Sequence, residues 1–133
     1  MIPQISQAPG VVQLVLNFLQ VLEQQGFTGD TATSYADRLT MATDNSVYQL
    51  LPDAVLFPRS TADVALLARV AAEPRFKSLI FTPRGGGTGT NGQALNGGII
   101  VDMSRYMNRI IEINPEDCLL YTSPSPRDAH ESR

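Results

Sequence analysis

Cysteine and histidine are almost missing from this sequence, with one of each in 133 residues. Both fall near the end, at Cys118 and His130, so residues 1–117 contain neither. That excludes a disulfide, a Cys/His metal site, a cysteine nucleophile and a histidine base from most of the chain. No apolar run approaches the roughly 18 residues that a membrane-spanning helix needs. No basic stripe is present and the net charge is −3, which argues against a nucleic-acid surface. Met1-Ile2-Pro3-Gln4 lacks the basic start of a secretory signal. These absences point to a cytoplasmic protein with no nucleic-acid partner, although scarce cysteine alone leaves the redox compartment open.

What the chain does have is glycine, concentrated at residues 83–93. The run Pro83-Arg84-Gly85-Gly86-Gly87-Thr88-Gly89-Thr90-Asn91-Gly92-Gln93 holds five glycines. Glycine buries little apolar surface, so its use here is conformational. Successive free N–H groups in such a loop form a concave nest for an anion, usually phosphate or pyrophosphate. Arg84 adds a fixed charge at the entrance, while Thr88, Thr90, Asn91 and Gln93 add hydrogen-bonding groups.

Two familiar glycine loops do not fit. Residues 87–92 satisfy G-x-G-x-x-G, but a dinucleotide-binding βαβ unit would open a helix there. The sequel Gln93-Ala94-Leu95-Asn96-Gly97-Gly98 stops again at two glycines. A P-loop would need lysine where Gln93 stands. The β-branched run Ile99-Ile100-Val101 reads instead as a strand. The loop therefore joins two strands, and a flexible turn with no ligand is the competing interpretation.

The periodicity predicts a helix over residues 11–25 ending before Gly26, and a shorter one over 31–42 with Tyr35, Leu39 and Met41 as contacts. Residues 54–57 predict a buried strand closed by Pro58. Ser60 then caps a helix over 61–72, with Asp63 in its first turn. That helix is expected to bury Val64, Leu67, Ala68 and Ala71. Further strands are expected over 79–82, 99–103 and 110–113. Strand, helix and strand in this order predict a right-handed parallel βαβ unit. Asp44-Asn45-Ser46 predicts a turn before Val47-Tyr48, and this region reads as scaffold, the alternative being that Asp44 and Tyr48 approach the missing half of the domain. Arg59 reads as a surface or turn arginine, and Asp102 as a partner of nearby backbone or Ser104.

Residues 55–64, 82–88 and 98–104, in that order, resemble the PCMH-type FAD-binding domain of the vanillyl-alcohol-oxidase family, over about residues 30–116. The pattern is most similar to the FAD-linked D-2-hydroxyacid dehydrogenases, and among them to the large bacterial D-2-hydroxyglutarate dehydrogenases that also carry iron–sulphur clusters. The resemblance implies an α+β fold: N-terminal helices over 1–43, then the small βαβ subdomain and the start of a second over 44–117, truncated. It implies that Arg84, Gly85, Gly86, Gly87, Thr88 and Gly89 contact the FAD pyrophosphate, with Asn91, Gly92 and Gln93 completing the wall. Two alternatives stay open: Arg84 pairing with a carboxylate to hold the loop, and Gln93 stabilising loop backbone. Covalent-flavin members carry a histidine near the position of Thr88, so FAD is expected to bind non-covalently. The implied parent reaction oxidises a small-molecule 2-hydroxyacid to its 2-keto acid, with substrate-binding and proton-abstracting groups, and any iron–sulphur ligands, outside this segment. No catalytic residue is assigned here, and neither the electron acceptor nor the oligomeric state is specified.

Residues 118–128 change character abruptly and resemble a translated sequencing adapter, so 118–133 is expected to be a non-native tail, the alternative being a disordered Ser/Pro tail. Two other functional readings remain beside the dehydrogenase: a non-catalytic phosphate- or nucleotide-binding module, and a truncated fragment with no activity of its own.

Overall fold

The structure, a computed structural model, describes residues 11–116 and the backbone of residues 119–122. The rest of the tail expected at 118–133 lies outside the described residues. Helix α1 (Gln13–Gln24) buries Val15, Phe18, Leu19 and Leu22, the spacing of one helical stripe. Phe18 meets Phe76 edge-on and Phe81 at a tilt, each with ring centroids 5.2 Å apart. The helix closes as Gly26 N–H donates to Glu23 O and Phe27 N–H to Leu22 O, which satisfies carbonyls left open by the last turn.

The helix expected over 31–42 is replaced by two shorter pieces. Asp30–Ala32 forms strand β1, and only Tyr35–Thr40 is helical (α2), beginning after Ser34, whose side chain accepts from Asp37 N–H. Thr31-Ala32-Thr33 suits an extended edge, and the Ser34 cap sets where the helix can start. Strand β2 (Ala54–Phe57), helix α3 (Thr61–Ala71) and strand β3 (Phe81–Arg84) follow, with a short 3-10 turn at Pro74–Phe76. The face that α3 buries differs from expectation: Leu66, Leu67 and Val70 are buried while Ala68 is exposed, because the larger side chains take the core-facing positions. Val64 and Ala71 pack at the margin of that core.

Strand β4 (Ile99–Asp102) lies between β2 and β3 and is parallel to both, while β1 pairs antiparallel with β2. The resulting order is β1-β2-β4-β3. Every residue of β2 and β4 is buried, and side chains alternate between two faces. Ala54, Leu56, Ile99 and Val101 join the core under α1 and α3, whereas Val55, Phe57 and Ile100 pack with Ala32, Met41 and Tyr106. This is an α+β arrangement. Strand β5 (Ile110–Asn114) leaves the sheet and pairs antiparallel with β6 (Leu119–Thr122).

Two carboxylates tie the elements together. Asp63, buried at the start of α3, accepts from Thr28 N–H, Thr28 Oγ1 and Arg59 N–H, at 2.8–2.9 Å. Its own N–H donates to Ser60 Oγ, as the capping pattern predicts. On β1, Asp30 accepts from the Tyr106 hydroxyl and pairs with Arg59 at 3.0 Å and Arg105 at 3.8 Å. Arg59 also stacks over Tyr106, and Arg105 over Phe57. The Tyr106 bond is the main reason the Asp30 carboxyl titrates below its ordinary range, with Arg59 and Arg105 adding to it.

Asp63→Ala removes three part-buried hydrogen bonds to a carboxylate and is expected to destabilise the fold by about 2 kcal/mol, read from the midpoint of urea unfolding at unchanged slope. Burial would raise the Asp63 carboxyl, but the N–H bonds from Thr28 and Arg59, the Thr28 hydroxyl and the Arg59 charge together hold it below its ordinary value. Its contribution is therefore complete above the unfolded carboxyl pKa of about 3.9 and is lost as pH falls through the lower folded value. Unfolding midpoints taken between neutral pH and pH 3 should fall more steeply for the native chain than for Asp63→Ala; parallel curves would contradict this.

Candidate cofactor cradle

Parallel neighbours cannot be joined by a tight turn, because the chain must return along the sheet before the second strand begins. Between β3 and β4 residues 85–98 make that return without a helix. The loop leaves the carboxyl end of β3, where open α/β sheets tend to bind ligands. It arrives at β4 with Gly98 O accepting from Asp53 N–H at 2.8 Å. Buried Asn96 fixes that end, donating to Ile80 O at 3.0 Å and accepting from Gly98 N–H at 2.8 Å.

The other end is held from beneath. Arg84 is only 8% exposed, and its guanidinium donates to the backbone carbonyls of Thr43 (2.8 Å) and Met41 (3.5 Å). The loop-holding role open for Arg84 in the sequence is realised through carbonyls rather than through a carboxylate ion pair. Gly87, at φ +65°, folds directly over this guanidinium, and a Cβ there would collide with Arg84 Nη2. Gly87 O accepts from Asn45 N–H at 3.0 Å. Five residues on, Gly92 (φ +75°) lies against the Tyr48 ring, whose Cδ2 would stand 3.1 Å from a Cβ. The segment through Asn45 and Tyr48 therefore runs beside the loop from Gly87 to Gly92.

Gln93 Oε1 accepts from Asn91 N–H at 3.0 Å, so this side chain stabilises loop backbone, the second option open in the sequence. Thr88, Asn91 and Gln93 are exposed, while Gly87, Gly89 and Gly92 are half-buried. Among the described residues, the N–H groups of Gly85, Gly86, Gly87 and Gly89 donate to no intramolecular acceptor. Asp44 lies beneath: Oδ1 accepts from Ser46 N–H at 2.8 Å, and Oδ2 is buried without a partner at hydrogen-bond geometry. Ser46 chiefly, then the Ala94 amide and the Arg84 charge, hold its carboxyl below the usual range. The Arg84 charge thus acts on Asp44 as well as on the two carbonyls, and the loop combines unpaired backbone amides with the exposed side chains of Thr88, Asn91 and Gln93.

The sequence model described as "FAD binding domain" matches residues 52–124. The chain belongs to the FAD-binding domain family. Its cofactor is accordingly FAD. The chain is 89% identical over 117 residues to a D-2-hydroxyglutarate dehydrogenase of Escherichia coli (strain K12), covering 88% of this chain and 12% of that protein. It is 79% identical over 116 residues to one from Pantoea ananatis (strain AJ13355), covering 87% of this chain and 11% of the relative. The chain thus spans about an eighth or less of the length of these relatives. In fold it is similar to an alkyldihydroxyacetonephosphate synthase, with a TM-score of 0.64 at 18% identity over 87% of this chain and 23% of the other.

The residues present fit the diphosphate of FAD. Four unpaired amides cluster in one loop, and no carboxylate oxygen hydrogen-bonds to them among the described residues. What the sequence did not assign is the supporting wall at 41–48, which supplies the carbonyls for Arg84, the amide for Gly87 and the ring for Gly92. The Asp44-Asn45-Ser46 turn was visible, but nothing local says which loop it supports.

Gly87→Ala forces a left-handed backbone on alanine and a collision with Arg84, an expected loss of at least about 1–2 kcal/mol that urea unfolding would register. Arg84→Lys keeps the charge but cannot reach both carbonyls in a fork. It should therefore lower FAD affinity nearly as far as Arg84→Met, and near-native affinity in Arg84→Lys would show that charge alone matters.

Proposed function

We propose that this chain is the pyrophosphate-holding part of a flavoprotein that oxidises a D-2-hydroxyacid, with D-2-hydroxyglutarate the leading substrate, to the 2-keto acid. The observation that carries this is the set of unpaired loop amides in a chain whose relatives are D-2-hydroxyglutarate dehydrogenases. In this reading Gly85, Gly86, Gly87, Thr88 and Gly89 face the two phosphates. Asn91, Gly92 and Gln93 complete the wall, and Arg84 orients the loop from behind while adding positive charge. Amides bind the anion without having to reorient, since the loop is already tied at Gly87, Gly92 and Gly98. FAD, when bound, supplies the two-electron acceptor, and the protein positions it against the substrate.

Thr88 offers no ring nitrogen for a flavin bond, which supports non-covalent FAD. Residues 44–117 form part of the cofactor domain in this reading, after an N-terminal region at 1–43. The hydroxyacid-binding and base groups, and any iron–sulphur cluster, belong to the longer protein. The adapter-like character of 118–133 remains part of the proposal. A cytoplasmic location is part of the proposal and rests on the sequence alone; among the described residues no helix is long and apolar enough to cross a membrane.

The test uses the protein as purified. Acid precipitation should release FAD into the supernatant, and anaerobic D-2-hydroxyglutarate should bleach the flavin of the longer protein faster than the L-enantiomer does. Flavin retained in the precipitate would exclude non-covalent binding. Saturable ADP binding without any flavin uptake would favour a nucleotide-binding module instead.

A further inference from the structure

The wall beside the glycine loop carries apolar side chains that the described residues leave largely uncovered. Val47 is 95% exposed and Tyr48 61%, although neighbouring residues are anchored through Asn45 N–H and the Ser46 hydroxyl. An exposed aromatic ring on a chain segment this well tied is held in one place for contact. Tyr48 is positioned by its packing against Gly92, where the missing side chain lets the ring lie on the loop. The same segment meets Gly87 three residues earlier, beside the unpaired amides. An apolar, partly aromatic shelf therefore flanks a diphosphate cradle along the direction of the loop.

A dinucleotide has that pattern of chemistry: a diphosphate between two flat heteroaromatic rings. We propose that Tyr48, with Val47 beside it, forms a stacking shelf for one aromatic ring of the bound dinucleotide. The shelf binds by face-to-face or edge contact with a π-system, which aromatic side chains provide without regard to base identity. Glycine at 92 suits this arrangement, since its φ of +75° disfavours any side chain and a Cβ there would crowd Tyr48 Cδ2 at 3.1 Å. The proposal rests on the FAD-holding reading above and adds to it a binding residue outside the glycine loop.

The experiment titrates FAD, FMN and ADP separately into the native protein, Tyr48→Phe and Tyr48→Ala by calorimetry, with urea unfolding run alongside. Tyr48→Ala should weaken FAD binding on the order of tenfold with an unchanged unfolding midpoint, and Tyr48→Phe should bind as the native protein does. A parallel loss for ADP identifies the adenine as the stacked ring, and a parallel loss for FMN identifies the isoalloxazine. Unchanged FAD affinity in Tyr48→Ala, when the native protein binds FAD, overturns the shelf and leaves the cradle standing. So does a loss of affinity matched by a lowered unfolding midpoint in both variants, because the ring is then a packing element. Native protein that takes up no FAD overturns the cradle and the shelf together.

Discussion

The parallel placement of β4 between β2 and β3 is the constraint on which the rest depends. Each of its edges is paired, and all its residues are buried. Because β3 immediately precedes it in sequence and runs the same way, the intervening chain must travel back along the sheet. A helix would ordinarily do this. Here glycines and a borrowed wall do it, and backbone amides that a helix would have consumed internally are left without an intramolecular acceptor.

That substitution explains why Arg84 is buried when its charge suggests display. A loop with so many glycines loses more conformational freedom on ordering than any helix would. Something must hold it, and two carbonyls of the 41–43 turn accept the guanidinium to do so. Asn96 serves the same end at the loop's exit, and Asp44 orders the supporting turn by accepting from Ser46 N–H. The cradle is thus ordered largely by polar contacts to backbone, with Ala94 its one buried apolar side chain among the described residues.

Much of this was legible in the residues. The stripe at Val15, Phe18, Leu19 and Leu22 carries a helical period, and Ser60 with Asp63 marks a helix start by cap chemistry alone. The glycine loop is legible for the same reason: its meaning is local. What was not legible depends on distant partners. Strand β1 exists because Asp30, Thr31 and Ala32 register against Phe57, Leu56 and Val55, which no local pattern announces. The buried face of α3 is set by what β2 and β4 present to it, so Ala68 turned outward. The insertion of β4 between two strands already parallel to each other is a pairing choice, invisible to periodicity.

Strand β1 has a consequence of its own. It is the outer strand of the sheet on one side and only three residues long, with Asp30 engaged by Tyr106, Arg59 and Arg105. An open sheet edge invites a strand from another molecule, and short edges bearing committed charges are poor templates for it. An incoming chain would have to break a tyrosine bond and two arginine contacts to gain a ladder of little length. The cluster at Asp30 therefore disfavours edge-to-edge pairing on the flank of the sheet opposite the strand from which the glycine loop departs.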